Sequence, residues 1–302
     1  MLIFIILAVI ILIAVYIYTE STSISVTEYL YTFDKLKADE YSFVFLTDLH
    51  GMVYGGDNEK LLGMIDELSP DAIMLAGDMI TAGDPVFFKK TDEDRIESIA
   101  SESGCHATLS FLERLKKKYP IYYGIGNHEE KLKRNPEIYS NAWERYTGSL
   151  EDMGLHILEN ETVRLEKEGI MIYGLDLEHK YYRKIVDRSI DEDYVERIFG
   201  PVCEDAVSIL LAHFPDQFEG YARWGADLVL SGHVHGGVIR IPFLGGLVSP
   251  QLKLFPKYDC GEFKEGKSTM ILSRGIGTHS VPIRINNRAE IVYVKLKRGE
   301  KQ

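Results

Sequence analysis

Cysteine is scarce in this chain. Cys105, Cys203 and Cys260 stand far apart without C-x-x-C spacing, so neither a disulfide framework nor a zinc ribbon is expected and the redox compartment stays open. A basic excess is missing as well: 34 Lys and Arg face 46 Asp and Glu, a formal net charge of -12. General affinity for nucleic acid needs a basic face for counterion release, so no nucleic-acid partner is expected. An acidic protein that handles phosphate must gather positive charge locally, and bound metal is one means. No low-complexity tract points to disorder, and 302 residues at 45% hydrophobic suffice for one large core or two small ones.

No Lys or Arg precedes Lys35. What stands there instead is an unbroken uncharged run, Leu2 to Tyr18, which reaches ~26 Å as a helix against a hydrocarbon core of ~30 Å. A single membrane anchor over 1–19 is expected. A secretory signal peptide and a buried core helix are the alternatives; the run is long for the first, and neither a basic flank nor a small-x-small site accompanies it. Orientation has little to specify it without nearby basic residues. The reading taken is a single-pass cell-membrane protein with its catalytic domain extracytoplasmic. Residues 20–40 read as a polar connector with room for an edge strand at Ser23–Thr27.

Five apolar runs then follow, each ending in residues that can bind metal. Tyr41–Leu46 leads to Asp48 and His50, and Asp71–Ala76 leads to Gly77-Asp78. Ile121–Ile125 leads to Gly126-Asn127-His128-Glu129, and Val207–Ala212 leads to His213. Ala226–Leu230 leads to Ser231-Gly232-His233-Val234-His235-Gly236-Gly237. The runs lack helical period and are rich in branched and aromatic residues, so they read as buried strands. One Asp-x-His or Asn-His pair reads as a turn, but a series at strand carboxyl ends is where open α/β sheets bind ligands.

Between these runs, Asn58–Leu68 and Thr108–Tyr119 show helical spacing, and Lys116-Lys117-Lys118 suit a helix C-terminus. The acidic stretch 84–103 reads as solvated surface. Leu155–Gly174 reads as short strands opening a second, antiparallel section. Glu178–Phe199, with Tyr181-Tyr182-Arg183-Lys184 at its front, reads as an exposed helix with a snorkelling basic face, a substrate lid being the alternative. Arg274 and Arg284 are the arginines expected near the site, unless salt bridges claim them.

The collected ligands are Asp48, His50, Asp78, Asn127, His213, His233 and His235. Seven oxygen and nitrogen donors without cysteine exceed one tetrahedral zinc with an open position and fit two adjacent divalent ions, manganese, iron or zinc. Two ions ~3.5–4 Å apart can hold a hydroxide and clamp the attacking and leaving oxygens of an in-line displacement, as phosphoester hydrolysis requires.

In this order, D-x-H, G-D, G-N-H-[DE], H and G-H-x-H, the motifs resemble the calcineurin-like metallophosphoesterase superfamily over Tyr41 to about Lys297. The tail is similar to a bacterial membrane-associated phosphodiesterase branch called YkuE/YaeI-like, in Leu247-Val248-Ser249-Pro250, Ser273-Arg274-Gly275-Ile276-Gly277 and Pro282-Ile283-Arg284-Ile285-Asn286-Asn287-Arg288. Val238 and Ala289 depart from that branch, which often has glutamine and proline there. The resemblance implies a four-layer α/β/β/α sandwich of two mixed sheets over 41–298. It implies that Asp48, His50 and His235 hold one metal and Asn127, His213 and His233 the other, with Asp78 bridging. His128 and Asp48 are then the catalytic residues, His128 steadying or protonating the leaving oxygen. The expected reaction is hydrolysis of a phosphoester, a phosphodiester of lipid or nucleotide-lipid first and a phosphomonoester of nucleotides or phosphoproteins second. A non-catalytic metal-binding scaffold is the remaining alternative, although no ligand is missing. The apolar loop Ile241–Val248 either packs on the second sheet or helps present a membrane substrate.

Overall fold

Side-chain alternation along β2 (Glu40–Leu46) sets the layering. Val44 and Leu46 pack under helices on one side, and Phe43 and Phe45 enter the space between two sheets on the other. The computed structural model describes residues 1–302 except 83–103, 184–187, 238, 251, 279–282 and 300–302. The acidic stretch 84–103, Lys184, Val238 and Pro282 therefore lie outside the described residues.

The first sheet has the order β1 (Ile24–Phe33), β14 (Ala289–Arg298), β2, β3 (Ala72–Ala76), β4 (Ile121–Gly124), β5 (Ile157–Leu158). Neighbours from β2 to β5 are parallel, and β14 runs antiparallel to β2. The second sheet has the order β12 (Gly261–Glu265), β13 (Ser268–Leu272), β9 (Leu228–Ser231), β8 (Val207–Leu211), β7 (Ile170–Gly174), β6 (Glu161–Leu165). Its inner four strands are parallel and its two edges antiparallel.

Helices α2 (Glu59–Leu68), α3 (Gly104–Lys116), α4 (Asn127–Arg134), α5 (Pro136–Tyr139) and α6 (Ala142–Asp152) cover the first sheet through Leu61, Ile65, Phe111, Leu132, Tyr139 and Tyr146. The short helices α7 (Tyr194–Phe199) and α8 (Phe218–Trp224) cover the second through Val195, Phe218 and Tyr221. Phe43, Phe45, Met74, Ile209, Leu211 and Leu230 fill the space between the sheets. The architecture is the expected four-layer α/β/β/α sandwich. Because β2, β3, β4, β8 and β9 all end at one rim, the loops after them converge there.

Three expectations change. The edge strand expected at Ser23–Thr27 is present but longer, β1 running ten residues in parallel with β14, because its alternating Tyr29, Tyr31 and Phe33 pack partly onto the inter-sheet core. The segment Glu178–Phe199 is not an exposed helix: Tyr181, Tyr182, Ile190, Tyr194 and Val195 are buried against the second sheet, and only α7 is α-helical among its described residues. Its aromatic residues are worth more buried than its cations are in maintaining a long solvated helix. The loop Ile241–Val248 does not pack flat on the second sheet; it forms a small hairpin of β10 (Arg240–Ile241) and β11 (Gly245–Gly246), with Phe243 fully exposed at its tip.

Helix α1 (Leu2–Thr22) is apolar on every side, and its membrane-length window is only 6% buried, which excludes the core-helix alternative. Its last turns are fastened to the domain. Tyr16 Oη donates to Asn286 Oδ1 (2.5 Å), Ser21 Oγ accepts the Arg284 backbone N–H (3.0 Å), and Arg288 Nε pairs with the buried Glu20 (2.7 Å).

Candidate metal centre

Three of the five ligand-bearing loops leave their strands by a sharp turn, and the backbone records it. Asp48, His50, Asp78, His233 and His235 all have positive φ, between 51° and 74°. A side chain in that left-handed region costs roughly 1 kcal/mol or more, and Asp and His are among the types that tolerate it. Two glycines make the close approach feasible. A Cβ on Gly126 would stand 2.3 Å from Asp78 Oδ1, and one on Gly232 would stand 2.3 Å from Asp48 Oδ2.

The turns bring six of the seven expected ligands into overlapping groups. Asp48, His50 and His235 form one set of donor atoms within 4.8 Å of one another, and Asp78, His213 and His233 form another. In the first, Asp48 Oδ1 lies 3.3 Å from His235 Nε2 and 3.7 Å from His50 Nε2. In the second, Asp78 Oδ2 lies 3.1 Å from His213 Nε2, and it is also 3.9 Å from His50 Nε2 in the first. Asp78 thus stands between the sets. Asn127, the seventh, is the first residue of α4, beside His128, whose backbone N–H donates to Asp78 Oδ1 at 2.8 Å.

The donors fit divalent cations. Asn127 Oδ1 is buried with no hydrogen-bond partner, as is His213 Nε2, which approaches Asp78 outside hydrogen-bond geometry. His50 Nε2 and His235 Nε2 face each other at 3.1 Å. His213 Nδ1 sits 2.7 Å from the Ala76 carbonyl, so a proton there directs Nε2 inward; Thr81 Oγ1, 3.1 Å from His50 Nδ1, can serve His50 likewise.

The carboxylates also call for positive charge. Burial alone would raise Asp48 and Asp78, yet the surrounding imidazoles hold both well below the usual carboxylate range. Burial would lower His213, but Asp78 and Asp48 outweigh it and lift the ring to about 9. Burial, joined by neighbouring imidazoles, pushes His233 down to about 3 and His235 to about 4, so both rings are neutral donors at pH 7. A divalent ion would meet the charge demand and take the place of the proton.

His128 lies within ligand distance of His50 and Asp78. Its Nδ1 accepts the Ala82 N–H at 2.8 Å, so the neutral ring carries its proton on Nε2 and is a donor rather than a ligand.

Several residues support the candidate ligands through contacts that the motifs do not state. Glu129, fully buried, accepts the backbone N–H groups of Asp78, Met79 and Gly126 and the hydroxyl of Tyr123, locking the β3 and β4 loops together. Tyr182 packs its ring 5.5 Å from His233 and 5.0 Å from Phe214. Arg274 is claimed by Glu290 at 2.8 Å. Arg284 makes no salt bridge to an acid among the described residues; buried, it donates to the carbonyls of Arg274, Gly275, Gly277 and Asn287. The loop it braces donates from Ile276 and Gly277 to the carbonyls of Thr47 and Asp48, and Asn287 Nδ2 donates to the His235 carbonyl. Arg284→Met strands those buried acceptors and lowers stability by about 3 kcal/mol or more, read as a fall in the denaturant midpoint.

A family model described as calcineurin-like phosphoesterase matches residues 41–237. A zebrafish (Danio rerio) "transmembrane protein with metallophosphoesterase domain" is 25% identical over 267 residues, covering 85% of this chain and 53% of that protein. An "uncharacterized metallophosphoesterase" of Helicobacter pylori is 30% identical over 268 residues, 87% of this chain and 61% of that protein. The Bacillus subtilis "uncharacterized metallophosphoesterase YkuE" is 25% identical over 268 residues, 88% of this chain and 80% of that protein. The chain spans less than two thirds of the length of the first two.

Proposed function

The chain belongs to the calcineurin-like phosphoesterase family, and we propose that within it this protein is a two-metal hydrolase of phosphodiesters presented at a membrane. The observation that carries the two-metal reading is the place of Asp78, whose carboxylate is near His213 on one side and His50 on the other. Asp48, His50 and His235 would hold one ion, Asn127, His213 and His233 the second, and Asp78 both. Manganese, iron or zinc, once bound, would bring water into its ionising range near neutral pH and offset the phosphoryl charge.

The chain's own residues do the rest. The Ala76 carbonyl and Thr81 hydroxyl fix the ring orientations of His213 and His50. Glu129 holds the loops of Asp78 and Asn127 at constant spacing. His128 presents Nε2–H to the leaving oxygen, which needs a proton or a strong donor as its bond to phosphorus breaks. Tyr182, buried beside His233 and Phe214, keeps water from that side. Single-pass anchoring by α1 and resemblance to membrane-associated phosphodiesterases support a membrane substrate.

The test is metal removal from the full chain in detergent. Chelation abolishes hydrolysis of bis-p-nitrophenyl phosphate, and manganese, iron or zinc restores it with two ions per chain. Preference for p-nitrophenyl phosphate instead would make the protein a phosphomonoesterase. No turnover of either ester with two ions bound would leave a non-catalytic scaffold.

A further inference from the structure

Among the described residues outside α1, five of the seven large apolar side chains that are at least half exposed fall in one segment of the chain. Phe243, Leu244, Leu252, Leu254 and Phe255 are each at least half exposed, and all lie within the segment 239–255. Its described residues form a single tongue: the β10–β11 hairpin continues into a bridge of Val248 with Leu254 and a bond from the Phe255 N–H to the Leu247 carbonyl. From Ile241 to Leu252 it contains no charged residue. A soluble surface does not ordinarily group its apolar side chains this way.

Two connections give the tongue its meaning. At its base it grows directly from the candidate metal-ligand loop, because Ile239 N–H donates to the carbonyl of Gly237, two residues beyond His235, and Leu247 N–H donates to the Ile239 carbonyl. On its flank it is joined to α1 through one side chain: Asn286 accepts from Tyr16 Oη and donates to the Arg240 carbonyl. Tyr16 precedes the end of α1 at Thr22 by six residues, about 9 Å along the helix axis. A helix needs about 20 apolar residues to cross the hydrocarbon core; the candidate span runs Ile3–Thr22, and its uncharged apolar part ends at Tyr18, two residues beyond Tyr16. Tyr16 therefore lies at the boundary of that apolar part, and the tongue bonded to it stands at the same level. Arg240 and Lys253, which bracket the uncharged run, are held by Asp259 and Asp216 on the domain side.

We propose that the tongue is a second membrane contact: Phe243 and Leu244, with Leu252, Leu254 and Phe255, enter the lipid leaflet at the C-terminal end of α1. The contact holds the His233–His235 loop against the bilayer surface. Its substrate clause rests on the phosphoesterase reading: the centre takes the phosphodiester of a lipid lying in that leaflet, at the headgroup level.

The test uses the full chain in phosphatidylcholine–phosphatidylglycerol nanodiscs. Phe243→Trp adds an emission component that is blue-shifted and quenched by acyl-brominated phosphatidylcholine, not by aqueous iodide. An added component quenched by iodide overturns the membrane contact. A component shielded from both quenchers, with the chain dimeric by cross-linking, overturns it in favour of a second copy as the occupant. For the substrate clause, the pair Phe243→Ser and Leu244→Ser is compared with wild type on dioleoylglycerol p-nitrophenyl phosphate in the disc and on soluble bis-p-nitrophenyl phosphate. A drop of about tenfold on the lipid alone is expected; an equal drop on both, or none on the lipid, overturns the clause. Lipid quenching with no hydrolysis of either ester by wild type keeps the contact and overturns the phosphoesterase reading instead.

Discussion

Asp78→Asn removes the carboxylate that we propose two metals share and lowers kcat/KM by about a thousandfold or more, since the loss of charge stabilisation at the phosphoryl group amounts to several kcal/mol. The substitution keeps the shape of the side chain and an oxygen for the His128 N–H, now at 2.8 Å from Asp78 Oδ1. It also relieves repulsion, because Asp78 helps push the buried Glu129 carboxyl upward, after burial itself. Folding therefore survives while metal content falls below two ions per chain. Elemental analysis beside steady-state kinetics checks both halves. A variant that retains two ions and full turnover would remove Asp78 from its place between the two sets.

His128→Ala has the opposite signature: metal content stays, and turnover falls by about 10²–10⁴-fold, the range for a positioned proton donor. The loss depends on the leaving group. p-Nitrophenolate departs with little need of a proton, so the aryl ester suffers least, while an alkyl phosphodiester suffers most. Equal losses on aryl and alkyl esters would mean that His128 acts only on binding. The variant also leaves the buried Ala82 N–H without the Nδ1 acceptor, a cost of about 1–3 kcal/mol in stability, so activity is measured well below the melting transition.

The candidate ligand residues were legible because the signal is local. Each follows an apolar run a few residues long, and burial on both faces of a parallel strand writes itself as such a run, as in Phe43-Val44-Phe45-Leu46. The helices of the first βα units were legible for the same reason, Leu61, Leu62 and Ile65 of α2 being buried at helical spacing. The segment Glu178–Phe199 misled because its charges are frequent and its aromatics irregular; only contact with Phe214 and His233 shows that Tyr182 belongs inside. Arg284 misled for a related reason. An arginine in a Gly- and Asn-rich tail advertises a phosphate or an acid, yet its partners are carbonyl oxygens, which every residue carries and no motif marks.

The sequence by itself determined which chemical groups reach the strand ends, in what order, and that an apolar helix precedes them. Those are properties of short windows, where periodicity and residue type act directly. The tertiary structure alone decided that five of the candidate ligands adopt left-handed backbone, that the His233 N–H rests on the Asp48 carboxylate across 185 positions, and that Glu129 ties two loops together. It alone placed an exposed apolar tongue beside Tyr16, across 270 positions of chain from Asn286. Such contacts form only when two sheets pack face to face and bring remote loops to one rim, and the free energy that holds them comes from the buried Phe43, Phe45, Met74 and Ile209 between the sheets rather than from any pattern in the loops themselves.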